Sequence, residues 1–301
     1  MDQHLQVFIK VVERQNFSRA AEELLMTQPA VSQYIRTFED NIGTRLLERT
    51  NKYVRLTKAG EIVYLHAKEI VGLYTRMQTL VDDLINHASG PLSIGASFTF
   101  GEYVLPHIIA KMQESNPDIQ PEITIGNTKE IANYMIRHQL DVGIIEGHFT
   151  KEDQMRVEDF AEDYMVVVAS PDHPLVMKRE PIKMPELMPE RWVLREIGSG
   201  TREAADVMFD HHKMTPNLVT SFGSTQAVKE AVRAGLGISL LSGWAIQREL
   251  QNEDLHMIAV EGLPFTRKFS IVTASPFRTK AQQVFIEYLH CSKEITDLNF
   301  K

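Results

Sequence analysis

Residues 27–36, Thr-Gln-Pro-Ala-Val-Ser-Gln-Tyr-Ile-Arg, constrain this chain most, because they set a hydroxyl cap and a proline at the start of a helix with two unlike faces. Thr27 can accept from a free amide, and Pro29 falls in the first turn, where a missing N–H costs nothing. Val31, Ile35 and Phe38 make an inward face and leave Gln28, Ser32, Gln33 and Arg36 on the other side. Glutamine can pair bidentately with adenine, arginine with guanine and serine with several base edges, and a helix fits a major groove.

The surroundings agree. Leu5, Phe8, Ile9 and Val12 recur at helical spacing and predict a first helix over residues 2–14. A second is predicted over 19–25, capped by Ser18, with Ala20, Ala21 and Leu24 turned inward. Beyond Gly43, residues 45–56 read as two short strands around a polar tip, with Arg49, Lys52 and Arg55 placed to touch phosphates. This is the pattern of a winged helix-turn-helix.

Four spaced motifs carry a resemblance: Phe17-Ser18-x-Ala20-Ala21, Gln28-Pro29-Ala30-Val31-Ser32, Leu46-Leu47-x-Arg49 and Leu56-Thr57-x-Ala59-Gly60. Together they resemble the LysR-type transcriptional regulators over about the first sixty residues, and the rest of the chain follows that family's plan. Leu47 stands where the family more often has phenylalanine, an apolar exchange at a packed position. The resemblance implies a DNA-binding set of Ser18, Gln28, Pro29, Ser32, Gln33, Arg36, Arg49 and Arg55. It also implies double-stranded promoter DNA, RNA polymerase and a small-molecule effector as partners, with the chain a homodimer or homotetramer.

Charge points the same way. Residues 1–60 hold nine Lys and Arg against seven acids, +2, within a chain of −8, so the remainder carries −10. A mildly cationic head on an acidic body suits a molecule with one module facing a polyanion, although so small an excess is also ordinary surface variation. The 301 residues suffice for two or three modules. A single cysteine, Cys291, excludes an internal disulfide and a Cys-rich zinc site. The first residues lack a signal-sequence pattern, and no apolar run nears the roughly 20 residues that span a bilayer. A cytoplasmic protein without membrane contact is the expectation.

From Lys58 to about His87 a long helix is predicted, capped by Thr57, with Val63, Ile70, Leu73, Met77, Leu80 and Leu84 as a heptad seam and His66 in the gap. A seam left bare would expose an apolar stripe, so a dimer through this helix is expected; packing on its own C-terminal half is the alternative. Two recognition helices would then face two half-sites of a palindromic operator.

Residues 87–91 break the helix, and strands then alternate with helices, which implies a parallel or mixed sheet covered on both faces. Strands are predicted at 92–96, 122–125, 141–145, 164–169, 192–195, 219–222, 237–241 and 269–273, and helices at 101–114, 129–138, 201–212, 225–234 and 279–289. Crossings near 162–166 and 265–273 suggest two lobes, which resemble the effector-binding domain of LysR-type regulators, itself similar to periplasmic solute-binding proteins. The expected fold is α+β multidomain: a winged helix-turn-helix (1–58), a dimerising linker helix (59–89) and a two-lobed α/β periplasmic-binding-protein-like effector domain (90–301). Lobe I would take 90–162 and 269–301, and lobe II 163–268.

Two helix starts at strand ends carry hydroxyls and glycines, Ser97-Phe98-Thr99-Phe100-Gly101 in lobe I and Gly198-Ser199-Gly200-Thr201 in lobe II. Free amides and hydroxyls at such places make a nest for a small anion or carboxylate, and crevices beyond strand ends are where open α/β sheets bind ligands. Plain capping is the alternative for each segment taken singly. Ser97, Thr99, Glu146, Arg195, Gly198, Ser199, Gly200 and Thr201 form the candidate effector set, with residues 223–225 ranked lower. Three roles are open to Glu146: pairing with Arg195, binding the ammonium of an amino-acid-like effector, or accepting a hydrogen bond from a protonated oxyanion. Residues 195–202 resemble regulators of sulfur assimilation and of carbon fixation, which favours a sulfur-linked effector.

Catalysis finds no support. Gly198-x-Gly200 lacks the third glycine of a dinucleotide fingerprint, no Walker lysine follows a glycine loop, and Ser199 has no assignable base. His211 and His212 diverge by about 100° on a helix and make a poor metal pair. No cofactor, metal or enzymatic activity is expected. A binding protein or a cytoplasmic α/β enzyme remain the other readings.

Overall fold

The computed structural model describes residues 3–49, 53–82, 88–147, 155–178, 180–274 and 277–292, which cluster into two compact units, Met1–Ile85 and Asn86–Lys301. In the first unit three helices, α1 (Gln3–Arg14), α2 (Phe17–Glu23) and α3 (Gln28–Ile42), precede a two-stranded wing, β1 (Leu47–Arg49) and β2 (Val54–Leu56), and a long helix, α4 (Lys58–Asp82). Phe8, Val11, Ala20, Val31, Ile35, Phe38 and Leu46 close one core. Each large side chain among them contributes about 1.5–3 kcal/mol by leaving water. Thr27 caps α3 as expected. For α2 the cap is Asn16 rather than Ser18: its Oδ1 accepts from the amides of both Ser18 and Arg19, so Ser18 lies inside the first turn.

The wing is stapled to α3 by a buried carboxylate. Oε1 of Glu39 accepts from the amides of Leu46 and Leu47 at 2.9 and 3.1 Å, and Oε2 accepts from Arg49 at 3.0 Å. Removing it orphans two buried donors at about 1–3 kcal/mol each. Glu39→Ala is therefore expected to destabilise this unit by about 2–5 kcal/mol in urea denaturation; a loss below about 1 kcal/mol would mean that water satisfies those amides.

Helix α4 starts where Thr57 accepts from the amide of Gly60 and donates to the carbonyl of Arg45, both at 2.9 Å. Gly60 lies so close to the carbonyl of Leu46 that a Cβ would overlap it. The apolar seam is only partly as predicted. Ile70, Leu73 and Met77 are 51%, 46% and 52% exposed, whereas Val63 turns into the helix-turn-helix core and Leu80 is half-buried. Ile62 and Val81 join the exposed side, and Leu84 lies outside the described residues.

In the second unit, strands β3 (Gly90–Ser97), β4 (Ile119–Gly126) and β5 (Val142–Glu146) alternate with α5 (Phe98–Tyr103), α6 (Leu105–Ser115) and α7 (Thr128–Ile136). The chain continues through β6 (Arg156–Ala169), β7 (Arg191–Arg195), α8 (Gly200–His211), β8 (Leu218–Phe222), α9 (Thr225–Arg233), β9 (Ser239–Ser242), α10 (Gly243–Gln251), β10 (His256–Ile258), β11 (Phe265–Thr273) and α11 (Lys280–Cys291). One sheet runs β10-β6-β11-β5-β3-β4, with β9 also on β6; β7 and β8 form a parallel pair. The predicted strands 164–169 and 269–273 are each part of a longer one: all of β11 pairs antiparallel with residues 156–165 of β6, and β9 and β10 pair with residues 165–169 of β6. Phe100, Phe269 and Phe285 fill one core, and Trp192, Phe209 and Met208 fill another.

The single helix predicted over 101–114 is two, broken at Val104, with Pro106 starting the second. Helix α10 and strand β10 were not expected. Gly90 and Pro91, read as part of the break before the second half, already belong to β3. Among the described residues no helix is long and apolar enough to cross a membrane.

Candidate functional site

The first unit presents an open groove between α3 and the wing. Pro29, Ser32, Gln33 and Arg36 line one side, with Arg45, Arg49 and Tyr53 opposite. It measures about 1450 Å³. Small-molecule pockets are typically about 300–1,000 Å³ and enclosed, so the shape suits a larger, ridged partner. Gln33 and Arg36 are free to reach out, and Gln28 donates to Ser32 at 3.0 Å, which fixes both side chains on the exposed face. Ser18, Gln28 and Arg55 are exposed but do not line the groove. Arg49 is partly committed: its guanidinium pairs with Glu39 and stacks 5.0 Å over Phe17. Arg55 stacks 4.8 Å over Tyr53, and Lys52 lies outside the described residues. Arg45, in the turn from α3 to β1, and Tyr53, just ahead of β2 in the hairpin, were missed as groove residues, because such connections have no periodicity to mark their inner side.

The second unit gathers a buried polar site where β5, α5 and α8 meet the two long strands. Thr99 and Thr201, one from each predicted nest, both approach Oε1 of Glu146, at 3.2 and 3.5 Å. Gly200 packs against the backbone and side chain of Glu146 so tightly that a Cβ would collide with it. At the centre stands Arg267 of β11, which sequence reasoning missed. Its Nη1 donates to Thr201 at 3.2 Å and Nη2 to Thr99 at 3.1 Å; Nε donates to Asp163 of β6 at 2.7 Å, and Nη2 lies 3.1 Å from Glu146 Oε2. Ser242 donates to the other oxygen of Asp163 at 2.6 Å. Burial works to lower the Arg267 pKa, but Glu146 and Asp163 outweigh it and raise it, so the group stays a guanidinium.

Glu146 therefore pairs with Arg267, not with Arg195. The buried Arg195 donates to both carboxylate oxygens of Glu196, at 2.7 and 2.8 Å, and to Thr225 at 2.8 Å, and stacks 4.5 Å from the Phe98 ring. It is a clamp rather than a spare cation, because Glu196 also accepts from Asn127 across the cleft. Burial opposes the charge on Glu196, but Arg195 holds its carboxyl below the usual range. The remaining nest residues split. Ser199 caps α8 through the Thr201 amide at 3.2 Å, the carbonyl of Gly198 accepts from the Lys129 amide at 3.1 Å, and Ser97 is buried at the N-cap of α5 without a capping bond. Ser224 caps α9, Arg202 pairs with Asp206 on the surface of α8, and His173 caps a short 3-10 turn.

Residues 3–61 match the model for bacterial regulatory helix-turn-helix proteins of the lysR family, and residues 86–292 match that for the LysR substrate binding domain. The chain belongs to the LysR family of transcriptional regulators. This regulator is 38% identical over 287 residues to the HTH-type transcriptional regulator CysL of Bacillus subtilis strain 168, covering 95% of both chains. Its fold is that of full-length CbnR, solved with its target DNA, at a TM-score of 0.72 and 20% identity over 96% of this chain and 99% of that one. It also resembles the regulatory domain of Synechocystis PCC6803 CcmR, solved with 2-PG, at 0.61 and 27% over 67% of this chain and 96% of that one.

Proposed function

We propose that this LysR-type regulator binds promoter DNA as a dimer, assembling further into a tetramer, and that a small anionic or amino-acid-like effector in the cleft of its second unit changes how it engages that DNA and RNA polymerase. The domain division is residues 1–58, 59–89 and 90–301, as outlined above. The protein is a non-catalytic, cytoplasmic regulator whose effector contacts centre on Ser97, Thr99, Thr201 and Arg267. The observation that carries this reading is the groove lined by Pro29, Ser32, Gln33 and Arg36, which offers base-reading donors and acceptors on a rigid helix. CcmR supports a small-molecule ligand in the second unit, since a similar domain holds 2-PG. A sulfur-linked effector is retained as the first class to screen.

Gel-shift titration against promoter fragments at several salt concentrations tests it, since phosphate contacts make affinity fall steeply with salt. Arg36→Ala is expected to weaken specific binding about five- to a hundredfold, the worth of one good base contact. Unchanged operator affinity would remove Arg36 from the interface. Footprints that do not change across a panel of small anions, sulfur metabolites and amino-acid derivatives would count against effector control.

A further inference from the structure

The two oxygens of Glu39 serve different parts of the wing. Oε1 accepts from the amides of Leu46 and Leu47 and fixes the backbone, whereas Oε2 accepts from Nη2 of Arg49, the last residue of β1. The same guanidinium stands 5.0 Å over the ring of Phe17, the first residue of α2. Arg49 is therefore held on one edge and on one face, while Nε and Nη1 have no partner among the described residues and the side chain stays 39% exposed. It lines the groove together with Gln33 and Arg36. Those two residues and Glu39 all belong to α3, so the helix that offers the base-reading groups also carries the holder of the wing's arginine.

We propose that Glu39 is a positioning residue for DNA binding: with Phe17 it aims the remaining N–H groups of Arg49 at a backbone phosphate, and so ties that contact in fixed register to the base-reading face of α3. This rests on the DNA reading of the groove given above. A carboxylate beside an arginine could instead compete with the phosphate, and the geometry argues against that. Glu39 spreads its charge over three donors, two of them backbone amides, so the guanidinium is not cancelled. Its side chain is only 10% exposed and anchored at the other oxygen, so it stays behind Arg49 rather than in front of it. A guanidinium has five N–H donors, enough to keep this partner and still meet a phosphate. A fork that is already held also loses less freedom when its ligand arrives. Phosphate contacts carry no sequence information, but they fix the register in which base contacts are made.

Fluorescence anisotropy of the full-length protein with a labelled random-sequence duplex, between about 50 and 200 mM salt, tests this, because such binding rests on phosphate contacts and its salt slope counts them. Glu39→Gln keeps an acceptor for the two wing amides but turns a donor toward Arg49. The slope is expected to become shallower by about 0.9 per protomer, so that two protomers on one duplex lose about tenfold less affinity over that range. Arg49→Ala is expected to give the same change, and the double variant no more than either, since both act on one contact. Phe17→Leu, which removes the ring and spares the carboxylate, is expected to give part of it. A purely structural Glu39 would shift the melting temperature and leave the slope alone. A slope left unchanged by Glu39→Gln, by Arg49→Ala or, where the glutamine variant does not fold, by Phe17→Leu overturns the positioning role while DNA binding stands. So does a slope that Glu39→Gln steepens, which would make Glu39 the competitor. A wild type that binds no duplex at all takes both readings down together.

Discussion

The double substitution Leu73→Glu, Met77→Glu is expected to yield a monomer and to lower operator affinity by about 10²–10⁴-fold, the advantage that linking two binding modules confers. Both side chains lie on the exposed side of α4 with Ile70 and Val81, all about half exposed in the single chain. Stacked on a second copy, that stripe would be covered, and glutamates at two of its positions would set four unpaired charges into a symmetric interface. Sedimentation equilibrium measures the first effect and gel shift the second. A dimer that persists with unchanged affinity would move the interface off α4.

Arg267→Met is expected to destabilise the second unit by about 3–5 kcal/mol, because it leaves Glu146 and Asp163 buried beside each other with no counter-charge. For a unit of this size that lowers Tm by roughly 6–20 °C. Combining it with Glu146→Gln and Asp163→Asn is expected to restore most of the loss, since neutral groups of the same shape carry no such penalty. The deficit of the single variant also narrows on acidification: burial already raises the Asp163 carboxyl above its usual range and the variant removes the guanidinium that opposes this, so stability lost at neutral pH returns as Asp163 protonates. A thermal scan that finds the single variant as stable as the parent would show that solvent already neutralises the site.

The first unit was legible because its signals are local. Thr27, Pro29 and the spacing of Val31, Ile35 and Phe38 act within a few residues of one another, and the helix they predict is the helix found. Asn16 and Ser18 show the limit: both are cap-forming residues two positions apart, and Asn16 prevails because one oxygen reaches two amides. Arg267 could not be read from the sequence. It stands in an alternating strand where a charged residue ordinarily faces water, and its partners Asp163 and Thr99 lie 104 and 168 residues away. Only the pairing of β6 with β11 buries it. Arg195 stands at a strand end as predicted, and of the three roles left open for Glu146 the pairing with Arg195 is not formed, since its neighbour Glu196 satisfies it before Glu146 can.

The fit of Gly60 against Leu46 sets how closely shaft and wing can approach. Helix α4 has 25 residues, a rod of roughly 37 Å, and its first turn rests on the Leu46 carbonyl just ahead of β1. Any side chain at position 60 would wedge the rod away from the base of the hairpin, so only glycine permits this seat.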